Sequence, residues 1–282
     1  MKTLLVDNGS LEPAATFALR ELATKLSDRV GGRIEPVSLL HSHKIASEKL
    51  DGVAAQIVEP YLREQLQAGE NEFTVLPLFV GPSRAITEYL PEVIENLRAD
   101  FPALKVQIAP TLYQDGDLRF VGMLADRVRD QLSELTADAQ PVRVALVDHG
   151  SPIEEVTAVR NALADQLSSE LGDAVELVAP CSMERRAGSE YDFNEPLLES
   201  LLSREEWSTG TVIVTQLFLV PGRHAGPTGD IAQICADAEQ TSPNLRTIRT
   251  EVLATHPKTI EILADRYALL RRFRGIVSNG FY

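Results

Sequence analysis

Residues 144–151 read VALVDHGS, and residues 3–10 read TLLVDNGS. Each is an apolar run ending in Asp, followed by one polar residue and Gly-Ser, so Asn8 and His149 stand 141 positions apart. The same offset returns further on. VLPLFVGPS (75–83) aligns with VTQLFLVPGRH (214–224), which sets Ser83 against His224. Between these pairs EPYLREQL (59–66) matches EPLLESLL (195–202), and late in each half MLADRV (123–128) matches ILADRY (262–267). Four matches in one order identify a duplicated unit. The join is expected near residues 134–141, giving domains at 1–135 and 141–275.

Within each half, apolar runs of about five to eight residues alternate with longer stretches of helical period, the pattern of βα repeats around a parallel sheet buried on both faces. In the second half, strands are expected near 142–148, 174–180, 211–220 and 246–252, and helices near 152–171, 194–204, 229–240 and 257–271. Ser151, Pro152 and Glu154 read as a capping box with proline at the first helical position, and Gly150 permits a sharp turn before it. The expected fold is α/β: two tandem, similar, doubly wound parallel-sheet domains with a cleft between them. In such a sheet the first and third strands are neighbours, and ligands bind beyond their carboxyl ends. His149 follows strand one of the second half and His224 follows strand three, so both imidazoles are expected over one crevice.

Composition sets outer bounds. With 282 residues, 44% hydrophobic and 24% charged, the chain has the make-up of a soluble globular protein. No stretch approaches the roughly 20 apolar residues that a bilayer crossing needs. The opening MKTLLVDNGS reads as a buried strand and not as a secretory signal, so a cytoplasmic location is expected. Cys181 and Cys235 form no CxxC pair and are expected to be buried thiols. A formal net charge of −14 argues against a nucleic-acid partner, while Arg160, Arg185, Arg186 and Arg223 allow a local positive pocket. The chain has no GxGxxG after a strand, no Walker lysine and no GxSxG elbow, which counts against dinucleotide, ATP and hydrolase chemistry.

Neutral imidazole binds first-row transition ions and also accepts protons near neutral pH, so a facing pair suits metal chemistry. Asn8 and Ser83 cannot act as bases at neutral pH, which makes the first half catalytically silent. His41 and His43 form an HSH motif whose spacing, on an extended segment, would put both rings on one face as an auxiliary metal pair. His256, just before Pro257, reads as a solvent-facing residue at a helix start.

HGS (149–151) and LFLVPGRH (217–224), on a duplicated βα scaffold, resemble the class II chelatases, the CbiX and SirB group that inserts cobalt or iron into sirohydrochlorin. The retained second-half pair also resembles the arrangement in ferrochelatase and CbiK. The resemblance implies a lyase that metallates sirohydrochlorin or a related anionic tetrapyrrole in cobalamin or siroheme biosynthesis. It implies a divalent metal, Co²⁺ or Fe²⁺, as substrate and no organic cofactor, while the tandem fusion, which supplies a two-lobed cleft within one chain, sets the expectation of a monomer with an interdomain cleft. His149 and His224 would hold the metal and accept protons, with Glu184 completing the shell or relaying protons. Ser151, Arg185, Arg186 and Arg223 would bind the macrocycle and its carboxylates. One departure stands out: AGPTG separates His224 from Asp230-Ile231, which reads as a longer, flexible loop. The rival reading is a non-catalytic paralogue that binds metal or tetrapyrrole, and a third is a structural partner in a larger complex.

Overall fold

The computed structural model describes residues 1–136 and 139–277, and the expected join at 134–141 lies partly outside them. Each half contributes four parallel strands. In the first these are β1 (Lys2–Asp7), β2 (Ile34–Ser38), β3 (Glu72–Pro77) and β4 (Lys105–Ile108), in spatial order β2-β1-β3-β4. In the second they are β5 (Val142–Asp148), β6 (Leu177–Ser182), β7 (Gly210–Gln216) and β8 (Leu245–Arg249), in the order β6-β5-β7-β8. The first and third strands are therefore neighbours in both, as the doubly wound reading requires, and the chain changes direction beside β1 and β5.

The sheets match in register as well as in order. Asp7 pairs with Ser38, and Asp148 with Ser182, at the carboxyl ends of their strands. Val142 to Asp148 is buried at every position, which explains why Val144 to Val147 reads as a continuous apolar run rather than an alternating one. Helices α1 (Pro13–Val30), α2 (Val58–Gln67), α3 (Leu90–Asp100) and α4 (Arg119–Ser133) follow the first four strands. Helices α5 (Glu154–Leu171), α6 (Leu198–Leu202), α7 (Asp230–Thr241) and α8 (Pro257–Val277) follow the second four. Leu62, Phe73 and Leu90 sit in the core on one side of the first sheet, and Leu201, Trp207 and Ile231 occupy the same layer of the second. Among the described residues no helix is long and apolar enough to cross a membrane.

The compact units are not the sequence repeats themselves. One unit is Met1–Asp115 with Ala254 onward, and the other is Gly116–Leu253. Helix α4, last in the first repeat, packs on α5 and β7, whereas α8, last in the second repeat, packs on α1 and β3. Matched arginines anchor the exchanged helices. Arg127 of MLADRV donates to the Val252 carbonyl beyond β8, and Arg266 of ILADRY donates to the Thr111 and Leu112 carbonyls beyond β4. Boundaries at 135 and 141 follow the duplication, while packing divides the chain near 115 and 254.

Candidate functional site

The site is built where β5, β6 and β7 end. Gly150 has φ +93°, and a Cβ there would lie 1.9 Å from the Glu184 carbonyl oxygen, so only glycine lets the β5 turn press against the segment leaving β6. The Glu184 amide donates to the His149 carbonyl at 3.2 Å, closing the same contact. This backbone seam carries Glu184 beside its neighbour: its Oε1 lies 3.5 Å from His149 Nε2. His224 comes in from the loop after β7. The two imidazole rings stand edge to face, with centroids 4.6 Å apart and planes at 72°. Residues 75 positions apart in the chain meet as the strand order requires.

A carboxylate that is not among the expected site residues completes the arrangement. Asp230, first residue of α7, places Oδ2 2.5 Å from His224 Nδ1. A carboxylate on one ring nitrogen keeps the proton there and leaves Nε2 as the open lone pair, the usual way an outer carboxylate orients a histidine ligand. The loop between them is tied down and not flexible. Gly226 N donates to the Gly222 carbonyl, Gly229 N to the Gly226 carbonyl and Ile231 N to the His224 carbonyl. Arg249 forks onto the Gly226 and Pro227 carbonyls at 3.0 and 3.1 Å. The glycines of AGPTG serve tight packing, because a Cβ on Gly229 would sit 2.5 Å from both the Arg223 and His224 oxygens.

Beneath the histidine turn lies a buried polar network. Arg160, 1% exposed, donates to Ser182 Oγ and to the Asn194 carbonyl, and its Nη1 lies 3.5 Å from Asp148 Oδ1. Ser182 Oγ and the Gly150 amide also donate to Asp148 Oδ1, at 2.7 and 3.1 Å. Burial raises the Asp148 carboxyl above its ordinary range, while the Arg160 cation and these bonds oppose the rise. Asn194, fully buried, accepts from the Ser151 amide at 2.8 Å and donates to the Ser151 carbonyl at 2.9 Å. Arg160 is thus an internal counter-ion and takes no part in a surface positive pocket.

The remaining expected site residues divide. Ser151 stands at the turn, but it makes no capping box. Helix α5 starts at Glu154 with Ile153 as its cap, and Ser151 Oγ instead accepts the Ile153 amide, since Asn194 already fixes the Ser151 backbone. Arg185 is committed to its own loop through Glu195, Asp192 and the Gly188 carbonyl. Arg186 lies over the Tyr191 ring, 5.9 Å from its centroid. Arg223 is 78% exposed with Asp230 Oδ2 3.7 Å away, which leaves it the freest of these cations to meet an anion. Cys181 and Cys235 are buried, and burial pushes both thiols up, as inert core residues require.

Two expectations outside this cluster are corrected. His41 has φ +66° and precedes a 3₁₀ turn at Ser42–Lys44, so the HSH segment is not extended and period-two facing does not apply. His256 is buried, not solvent-facing, because its Nδ1 accepts the Lys258 amide at the start of α8. Among the described residues, no group of three or more His, Cys, Asp or Glu comes together as a cage for a resident metal. An open pair of imidazoles suits an ion that must arrive and leave.

The first copy repeats the frame without the chemistry. Gly9 has φ +86° and would clash with the Leu40 oxygen as Gly150 would with Glu184, yet Asn8 and Ser83 occupy the histidine positions. Asp7 matches Asp148, but Leu19 stands where Arg160 does. Desolvation pushes Asp7 up to about 6 from an ordinary 3.8, against lowering bonds from Ser38 and the Gly9 amide. With its folded pKa raised, the carboxyl binds a proton more tightly in the native state. It therefore costs stability as pH climbs from about 4 to 6, by up to about 3 kcal/mol. Asp7→Asn should match the native protein in urea unfolding at pH 4 and exceed it at pH 7. An equal difference at both pH values would refute this.

Fold and site together define an α/β protein of tandem four-stranded parallel sheets with a histidine pair at one switch point. The CbiX family model matches residues 2–131 and again 143–269, and the chain belongs to that family. Among solved structures, SirB from Bacillus subtilis with Fe³⁺ aligns with TM-score 0.68 at 17% identity, covering 95% of each chain. The sirohydrochlorin chelatase SirB from Bacillus subtilis subspecies spizizenii, in complex with cobalt, aligns at 0.64 and 17%, covering 94% of each. CbiX, the terminal enzyme for biosynthesis of siroheme in denitrifying bacteria, aligns at 0.60 and 14%, covering 95% of this chain and 99% of that one. Curated protein sequences return no match.

Proposed function

We propose that this protein is a chelatase that inserts Co²⁺ or Fe²⁺ into sirohydrochlorin or a related anionic tetrapyrrole in the cytoplasm, as a lyase without an organic cofactor. The observation that carries the reading is the His149–His224 pair, edge to face at 4.6 Å, on a CbiX-family fold. Relatives of the same fold are described with iron and cobalt.

Insertion exchanges one M²⁺ for two pyrrole N–H protons, so the site must present a metal and take up protons together. His224, its Nδ1 proton held by Asp230, offers Nε2 to the metal. His149, 3.5 Å from Glu184, receives the two pyrrole protons in turn and passes each to that carboxylate, which at 61% exposure hands it to water before the next. Arg223 and Arg186 face the macrocycle's carboxylates, with Arg223 the freer of the two.

The test is metallation of sirohydrochlorin followed by absorbance, for native protein and His149→Ala. The expected result is a loss of at least about 100-fold, the scale of a removed acid–base group. Equal rates would sink the proposal. Tight tetrapyrrole binding in calorimetry with no rate above the uncatalysed reaction would establish instead the non-catalytic paralogue, for which the loss of histidine at Asn8 and Ser83 in the first copy speaks.

A further inference from the structure

The duplication supplies an internal comparison that points to a second binding site, in the first unit and away from the histidines. Register fixes the matched positions. Asp7 and Ser38 correspond to Asp148 and Ser182. The isolated bridges Ser38–Ile57 and Ser182–Leu197 set Ala54 against Asn194, three residues before each bridge. On the first helix of each copy, Thr16 and Leu19 correspond to Thr157 and Arg160.

In the second copy the Arg160 guanidinium fills the space between these elements, held by Ser182 Oγ, the Asn194 carbonyl and Asp148. In the first copy Leu19 is too short and apolar to do so. A half-open cavity of about 180 Å³ lies there, lined by Thr16, Leu19, Ser38 and Ala54 among others. One buried polar side chain of its lining is in want of a partner. Thr16, 5% exposed, has an Oγ1 with no hydrogen-bond partner, while the Asp7 carboxyl, paired in register with the lining Ser38, leaves Oδ1 unpartnered as Asp148 leaves Oδ2 in the second copy. The matching Thr157 hydroxyl is satisfied by Asn194. Glu35 and Arg20 line the cavity too, and the Arg20 guanidinium is committed to the Leu50 and Val53 carbonyls.

We infer that this cavity binds the guanidinium group of a small organic cation, which takes in the first unit the place that the Arg160 side chain occupies in the second. A guanidinium is planar, carries several N–H donors and is weakly hydrated, so it can pair with a hydroxyl, a carbonyl and a carboxylate at once. A spherical quaternary ammonium can do none of this. The Thr16 hydroxyl, orphaned here but satisfied at Thr157 in the second copy, supports the preference, because an unmet buried polar group costs about 1–3 kcal/mol that a fitting partner recovers.

The probe is methylguanidinium, titrated into the full chain and followed by amide chemical shifts, with tetramethylammonium at equal concentration as the control for ionic strength. Saturable shifts confined to residues around Thr16, Ser38 and Ala54 are expected with methylguanidinium only. Leu19→Arg, which supplies the missing group from within, should weaken apparent binding at least about 10-fold. Asp7→Asn, nearly isosteric, should do the same and decides the matter if Leu19→Arg does not fold. No saturable response, an equal response to tetramethylammonium, or unchanged binding in Asp7→Asn would overturn the inference. Metallation by native protein is unaffected by methylguanidinium on this reading, so the two proposals fail separately.

Discussion

His224→Ala is expected to lower kcat for metal insertion at least about 100-fold while leaving the unfolding midpoint nearly unchanged, because it removes an imidazole whose Nδ1 is fixed by the Asp230 carboxylate. The ring is only partly enclosed, with a side-chain exposure of 28%, so little packing is lost with it. Asp230→Asn separates orientation from ligation. The amide oxygen can still accept from Nδ1 but without the full negative charge, and a loss of about 10-fold is expected, the lower edge of outer-partner effects. A structural role for Asp230 would move every parameter together. An orienting role raises KM for the metal and lowers kcat while KM for the tetrapyrrole stays put. Steady-state kinetics with each substrate varied in turn distinguishes them, and a His224→Ala enzyme of native rate would remove the pair from the mechanism.

Much of this was legible in the chain because duplication writes each constraint twice. Two copies of an Asp-polar-Gly-Ser turn fixed strand ends, and the ends fixed which strands are neighbours. Side-chain period specifies which face of a helix is apolar but not which sheet receives it, so the exchange of α4 and α8 could not be read from MLADRV and ILADRY. Arginines posed the same problem in reverse. Arg160, Arg185 and Arg223 look alike in sequence, yet one is a buried counter-ion, one ties a loop and one is largely exposed with a long contact to Asp230, since burial depends on partners such as Asp148 and Glu195 from other elements. Asn194 carried no local signal at all. Asp230 did carry one: a carboxylate opening a helix within a few residues of a candidate ligand is a second partner to be tested. The AGPTG loop misled because glycine marks close approach as well as freedom, and here the neighbouring carbonyls leave no room for a Cβ.

The second large effect concerns the layer under the site. Arg160→Leu copies into the second unit what the first unit already has at Leu19, and it is expected to cost about 3 kcal/mol, because it strands the Asp148 carboxylate and removes donors from Ser182 and the Asn194 carbonyl. The first unit shows that such a frame still folds, with Asp7 buried beside Ser38 and no matching arginine. Destabilisation rather than collapse is therefore the expected outcome. The consequence for chemistry follows from position. Asp148 is the residue before His149 and holds the Gly150 amide, and Asn194 holds Ser151 on the other side of the turn. Loosening both ends lets His149 drift from Glu184, so metallation should fall about 10-fold more than the fraction unfolded explains. Adding Asp148→Asn to Arg160→Leu removes the stranded charge and should return roughly half of the lost stability without restoring the rate. Urea unfolding and metallation rates of the two single variants and the double variant form the cycle that decides it. If the double variant is no more stable than Arg160→Leu alone, the pair is not the source of the cost and packing of the arginine stem is.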